Sequence, residues 1–361
     1  MLAYSLTFHD STIDCEVDDL SLVETAVRFL STHFTWEPRT GSTPDAIATL
    51  RVHALPFEPA IWQQATEWHD IFVRKSASEF FTVPAIKSTV GAIELLECSK
   101  SQTRMVFDRA AGVIDVGTSE AGAMDLVELV RDLVIKDQEN KGVVVLHATA
   151  AHRDGDIAII SGSKGAGKST ILLELVEHFG FEVMSGDKAL AKKNANGDVI
   201  VAGWPDYPHL GYGTIAKYDG LPSIAGIDDD FEPDEAQAFS PFNKFAVDPT
   251  PFRERFPSAE RGLEGPVSLV LHPNIGPGAS TRIVRASEVA SERTQYLRDN
   301  IESGFGGTYS GWHTFVANET AKHAELTEEI VSALGELDAW EIQGPGDLAD
   351  VTLPESIGAS R

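Results

Sequence analysis

Residues 156–187 read DIAIISGSKGAGKSTILLELVEHFGFEVMSGD, and the rest of the chain is organised around them. Within this stretch Gly162, Ser163, Lys164, Gly165, Ala166, Gly167, Lys168 and Ser169 fit G-x-x-x-x-G-K-[ST], a loop whose backbone N–H groups wrap around phosphates. Gly162 and Gly167 let the backbone turn tightly and approach an anion that a Cβ would hold off. Lys168 would reach the β- and γ-phosphates of a nucleotide, Ser169 would ligate Mg2+, and the helix that follows would aim its positive N-terminus at the same oxygens. The plain alternative is a Gly-rich turn that holds no ligand.

The motif counts only with a buried strand before it and a helix after it. Ile157, Ala158, Ile159 and Ile160 supply an apolar run of the kind found in buried parallel strands. Ile171, Leu172, Leu175, Val176 and Phe179 then recur at helical spacing, and Gly180 stops the helix. Phe181–Ser185 reads as a further buried strand ending at Gly186-Asp187-Lys188. Ligands gather beyond the carboxyl ends of such strands, so Asp187 is placed to hold Mg2+ or to accept the proton of an attacking hydroxyl. The bland reading of Asp187 is a turn residue that caps the next segment. Strand, turn, strand, Gly-rich loop, helix and strand together begin an α/β domain of the nucleotide-binding kind.

Composition narrows the class of protein. At 361 residues the chain can hold two domains, and 42% apolar with 23% charged residues is ordinary for a globular protein. No apolar run is long enough to span a bilayer and the first residues lack a signal-peptide pattern, so no membrane association and a cytoplasmic location are expected. Two cysteines, Cys15 and Cys98, are too few for a disulfide framework or a zinc site. A net charge of −26 argues against nucleic acid as a partner, since a phosphate backbone needs a basic surface. That acidity reads first as a solubility device and second as a means of attracting a basic peptide.

Outward from the loop, residues 1–120 read as a strand-rich α+β module for docking or substrate recognition. Strands are expected at Leu2–Phe8, Ala46–Leu55, Ile71–Val73, Phe80–Val83, Ala92–Cys98 and Arg104–Phe107, with a helix at Leu20–Leu30 and a hairpin turn at Arg109–Gly112. Residues 121–345 form the nucleotide-binding part. It opens with a helix from Ala123 to about Asp137, then strands at Val143–Leu146 and Asp156–Ile160, with His147 at the end of the first. Asn194–Gly197 is a hairpin turn, and the glycines, prolines and aromatics of Gly203–Thr214 read as a functional loop. Lys244, in PFNKFAV, is a candidate phosphate contact, and Arg293 and Arg298 are candidates for stabilising charge on a transferring phosphoryl group. Further strands are expected at Val267–Leu271, Thr281–Arg285 and Ala339–Ile342, and helices at Ala286–Asn300 and Ala321–Leu337. Gly304–Gly311 reads as a lid or linker, and residues 346–361 as a loose tail. His147 and His152 have no third ligand near them in sequence, so zinc is not expected.

The run LHATAAHRDGDIAIISGSKGAGKST, with His147 fifteen residues ahead of the first loop glycine, resembles the HPr kinase/phosphorylase family. It is closer still to the shorter HPr-kinase-like proteins found beside peptide natural-product genes. The resemblance covers roughly residues 123 to 300 and is strongest near the loop. It implies a P-loop kinase core related to phosphoenolpyruvate carboxykinase, and transfer of the γ-phosphoryl group of ATP to a serine hydroxyl. It also implies that Gly162 to Thr170 bind ATP and Mg2+, that Asp187 is the carboxylate near the acceptor, and that His147 sits by the phosphates. Hexamers occur in the family, so a homo-oligomer is an expectation of the same kind. Two departures stand out: the family's pair of aspartates is here the single Asp187, and His209-Leu210-Gly211-Tyr212-Gly213 keeps the glycines of a later signature without its arginine. Both leave phosphorolysis, the family's reverse activity, without support.

Three functions compete at this point. The first is an ATP- and Mg2+-dependent kinase acting on a peptide, protein or small-molecule hydroxyl, with Lys168, Asp187 and His147 in catalytic roles. The second is an ATPase or nucleotide-dependent switch with no acceptor, and the third a nucleotide-binding module without turnover.

Overall fold

The computed structural model describes residues 1–75, 81–228, 230–238, 240, 244–287, 289–306, 311–319, 321, 323–352 and 354. The chain is a mixed α/β protein with two large mixed β-sheets plus helices. Contacts group it into two units, Met1–Gly142 with Ser303–Ala321, and Val143–Glu302 with Lys322–Arg361. No helix among the described residues is long and apolar enough to cross a membrane.

In the first unit the strands are β1 (Leu2–Phe8), β2 (Ser11–Val17), β3 (Thr35–Pro38), β4 (Thr49–Ala54) and β5 (His69–Arg74). They continue with β6 (Val83–Val90), β7 (Ile93–Cys98), β8 (Arg104–Asp108) and β9 (Val113–Thr118). They form one sheet in the order β3-β1-β2-β4-β9-β8-β7-β6-β5, parallel only at β2–β4 and β4–β9. The expected strand at Phe80–Val83 starts at Val83 instead, and Phe80 lies outside the described residues. The expected helix at Leu20–Leu30 divides into a 3-10 turn, Leu20–Leu22, and helix α1, Glu24–Leu30. Helix α2, Ala123–Asn140, buries Leu126, Val127, Val130, Leu133 and Val134, the apolar face its spacing predicts, and it belongs to this unit. Ser303 and Gly304 also belong here, and both donate to the Glu139 carboxylate on α2. Of the stretch read as a lid or linker, residues 307–310 lie outside the described residues.

The second unit places the candidate site. Its first strands are β10 (Val144–Leu146), β11 (Ala148–Arg153) and β12 (Asp156–Ser161), followed by helix α3 (Lys168–Phe179) and β13 (Glu182–Ser185). Next come β14 (Ala189–Lys193), β15 (Val199–Gly203), β16 (His209–Gly211), the short helices α4 (Tyr212–Ile215), α5 (Leu221–Ile224) and α6 (Glu235–Ala238), and β17 (Lys244–Ala246). The unit closes with α7 (Pro249–Arg255), β18 (Glu264–Ile275), β19 (Arg282–Arg285), α8 (Ala290–Arg298), β20 (Ile301–Glu302), α9 (His323–Gly335) and β21 (Asp338–Gly344).

The large sheet runs β13-β11-β12-β18-β15-β14-β10-β20, with β21 pairing β18 from Leu269 to Ile275. Strand β12 has a parallel neighbour in β18, where Ile157 to Ile160 pair with Val267 to Leu271. Its other neighbour, β11, is antiparallel and stands between β12 and β13. On one face Ala158, Ile160, Leu269 and Leu271 pack with Ile171, Leu172 and Leu175 of α3. On the other, Ile157, Ile159 and Val270 pack with Leu297, Ile330, Val331 and Leu334. The alternation along β12 thus serves two cores, and a strand apolar on both faces is what the sequence run predicts.

The C-terminal residues nearest this unit are tied down. Leu348 is buried and its N–H donates to Glu174 Oε2 at 2.8 Å, while Tyr218 donates to Glu174 Oε1 at 2.9 Å. Residues 353 and 355–361 of the expected tail lie outside the described residues.

Candidate active site

The glycine-rich run leaves the carboxyl end of β12 and opens α3. Gly165 and Gly167 both adopt positive φ, +87° and +103°, in the left-handed region that favours glycine. A Cβ on Gly167 would lie 2.3 Å from Ile275 Cγ1, so the end of β18 fills the space behind the loop. The same residue pins the loop in place, because the Ile275 N–H donates to the Ala166 carbonyl at 2.9 Å. Lys168 Nζ donates to the Gly162 carbonyl at 2.9 Å, closing the run on itself. Gly167 caps the start of α3 and Gly180, at φ +69°, caps its end as the sequence predicts.

A cleft of about 890 Å3, counted to its open mouth, lies over this loop. Its walls include Lys164, Gly165, Gly167, Lys168, Ser169 and Thr170 from the loop and helix, His147 from the β10–β11 junction, and Gly186 and Asp187 from the end of β13. Gly162, Ser163 and Ala166 do not line it. Gly162 and Ala166 offer their carbonyls to Lys168 and Ile275, and the Ser163 carbonyl accepts from Ala166 N–H at 3.1 Å. Asp206 and Thr214, from the Gly203–Thr214 stretch that reads as a functional loop, also line it, as does Lys217, which sequence spacing did not identify; Glu302 stands beside His147. Lys244 and His209 line it from the ribbon β16–β17. Thr170 and Thr214 share a buried hydroxyl–hydroxyl hydrogen bond of 2.7 Å, which joins α3 to α4.

His147 stands between two acids, with Nε2 3.2 Å from Asp187 Oδ1 and Nδ1 3.4 Å from Glu302 Oε1. Glu302 in turn accepts from Lys188, the residue after Asp187. The surrounding protein works to raise the Asp187 carboxyl, but the hydrogen bond from His147 and the charges of Lys188, His147 and Lys168 outweigh it and hold Asp187 well below the usual carboxylate range. Lys168 moves the other way. Burial brings its ammonium down to about 8, with Asp187 opposing the fall and Lys244 adding to it.

Other candidates lie elsewhere in this unit. His152 pairs with Glu182 at 2.9 Å and accepts from Gly155 N–H, and it does not line the cleft. Arg298 is held by Glu328 and Arg293 by the Ser287 carbonyl, so neither lines the cleft. Among the described residues no group of three or more His, Cys, Asp and Glu side chains could hold a metal ion between them. A Mg2+ here would therefore share its shell between one or two protein oxygens, from Ser169 and Asp187, and phosphates, which is the usual way this ion is held. No protein-family model matches the chain, and no curated protein matches it.

Proposed function

We propose that the chain is an ATP- and Mg2+-dependent kinase that transfers the γ-phosphoryl group to a hydroxyl, that of a serine in a peptide or protein or of a small alcohol. Its core would be of the HPr kinase and phosphoenolpyruvate carboxykinase kind. One observation carries the reading: the phosphate-loop residues Lys168 and Ser169, the acid Asp187 and His147 line a single cleft although they come from three separate segments. The fit to a triphosphate rests on the loop itself. It is free of a Cβ where Ile275 would clash with one, it opens a helix of twelve residues, and its lysine is held at the loop's own carbonyl.

In this reading Lys168 meets the phosphate oxygens, and the loop residues that line the cleft, Lys164, Gly165 and Gly167 to Thr170, supply backbone donors and the Ser169 hydroxyl. Mg2+, when bound, neutralises charge on the β- and γ-phosphoryl oxygens. Asp187 orients the acceptor hydroxyl, and His147, fixed between Asp187 and Glu302, orients Asp187. As the acceptor oxygen bonds to the γ-phosphorus, the bond from that phosphorus to the β–γ bridging oxygen breaks and ADP leaves. The hydroxyl proton passes to an Asp187 oxygen. A carboxylate held so low is a weak base, which suits a loose transition state in which the proton is lost late.

The test is incubation with γ-labelled ATP, Mg2+ and candidate serine peptides and alcohols, read by mass spectrometry for a gain of about 80 Da. Label on an acceptor supports the reading. Rapid release of phosphate without any acceptor would instead make the protein an ATPase or switch, and tight nucleotide binding with no turnover would make it a binding module.

A further inference from the structure

Strands β16 and β17 form a separate two-stranded ribbon beside the glycine-rich loop. Its register sets His209 opposite Ala246, Leu210 opposite Phe245, and Gly211 opposite Lys244. The ribbon is not free to wander. Leu210 and Val247 are buried, and the Val247 N–H donates to the Pro208 carbonyl at 2.9 Å. Gly211 runs directly into α4, whose Thr214 is hydrogen-bonded to Thr170 on the first turn of α3. Edge-to-face contacts from Tyr212 to Phe231 and from Phe231 to Phe245, at 5.3 and 5.8 Å between ring centres, tie β17 to the same helix. The backbone at Lys244 is thus held at a set position relative to the loop through a chain of packed residues.

At that position Lys244 lines the same cleft as Lys164, Lys168, Asp187 and Asp206. Lys244 is exposed at the cleft wall; the protein around it nonetheless disfavours its charge, Lys164 adding to that effect while Asp187 and Asp206 oppose it. Lys244 also depresses the ammonium of Lys168. Four lysines, Lys164, Lys168, Lys217 and Lys244, line one cleft of a chain with net charge −26; their ammonium groups repel one another, and a polyanion among them would relieve that repulsion.

We propose that Lys244 contacts the terminal phosphoryl group of the bound nucleotide and takes up charge on its oxygens during transfer, making the β16–β17 ribbon the second phosphate-binding element of the cleft. This rests on the kinase reading above and adds to it a residue outside the loop motif. Lys168 reaches the phosphates from within the loop. Lys244 comes from a segment more than seventy residues later in the chain, so it can report whether the third phosphate is present.

The experiment compares wild type with Lys244→Met and Lys244→Arg, measuring ATP and ADP affinity by calorimetry and transfer rate where an acceptor is known. Circular dichroism checks that each variant is folded. Wild type is expected to bind ATP more tightly than ADP. Lys244→Met should lose most of that preference while keeping its ADP affinity, and should lower kcat by about 10²–10³-fold. Lys244→Arg should keep the preference in part. Equal ATP preference in wild type and Lys244→Met would overturn the proposal. Loss of the preference in a protein that transfers phosphate to nothing would support the contact and sink the kinase reading instead. No nucleotide binding by wild type would overturn both.

Discussion

Lys168 Nζ donates to the carbonyl oxygen of Gly162 at 2.9 Å, so the second lysine of the glycine-rich run rests on its first backbone carbonyl. Burial brings this ammonium down to about 8. Below that pH it is charged and can meet a phosphate, and above it the free protein holds a neutral amine that must take up a proton when an anion binds. ATP affinity should therefore be level from pH 6 to 7.5 and fall as pH rises beyond 8, by up to about tenfold per unit. Calorimetry across that range reads the slope. Lys168→Met should bind more weakly at neutral pH and lose the Lys168 component of the slope, and a wild-type affinity that stays level to pH 10 would remove Lys168 from the phosphates.

Gly167 combines a φ of +103° with a wall of Ile275 carbons. Gly167→Ala should cost about 1–3 kcal/mol from the backbone alone, and more from the clash, with loss of nucleotide binding. Gly180→Ala, at φ +69° with open space around it, should cost only about 1–2 kcal/mol. Urea denaturation separates the two. Pairing Gly167→Ala with Ile275→Ala should return the steric part, and no recovery would mean that the contact is not what limits the site.

Asp187→Asn keeps the shape of the side chain and removes its charge. Transfer should fall by about 10²–10⁴-fold, while affinity for Mg2+-free ATP should hold or improve, since a negative charge has left the cleft. His147→Gln, which acts only through Asp187, should cost less, about tenfold, and should cost nothing further in the Asp187→Asn background. Additive losses in the double variant would show that His147 works independently of Asp187.

The buried Thr170–Thr214 bond, 2.7 Å long, fixes α4 to α3. Thr170→Val or Thr214→Val alone leaves one hydroxyl buried without a partner, a loss of about 1–3 kcal/mol. The double variant should lose less than the sum, with a coupling of about 0.5–1.5 kcal/mol in a double-mutant cycle. Strict additivity would mean the two hydroxyls do not sustain each other.

Much of the site could be read in advance because its signals are local. The apolar run Ile157–Ile160, the helical recurrence from Ile171 to Phe179 and the stop at Gly180 are each short-range patterns, and β12 and α3 follow them. Strand β11 escaped because its buried residues are Ala148, Thr149, Ala150 and Ala151, too small to register as an apolar run. Strand β2 escaped for a different reason. Ser11 and Asp14 are buried in it, and they are tolerated because Ser11 donates to Asp137 while Asp14 accepts from Thr43 N–H and Oγ. Strand β18 was expected to stop at Leu271, yet it runs on through His272 and Pro273 to Ile275. Its pairing with β12 ends at Leu271, before the residue that lacks an N–H. Asp206 falls in the Gly203–Thr214 run whose composition marks a functional loop, whereas Lys217 and Glu302 had no signal, since only the tertiary fold brings Lys217 to the cleft and Glu302 to His147.

The long strand β18 also fixes when this protein can begin to work. Ile157 to Ile160 wait for Val267 to Leu271, about 110 residues further on, and Ala166 waits for Ile275. At about 5–20 residues per second on the ribosome, the loop emerges several seconds before the strand that braces it. A nascent chain arrested ahead of residue 264 would carry every letter of the phosphate motif and still lack the parallel strand and the Ile275 bond that brace it.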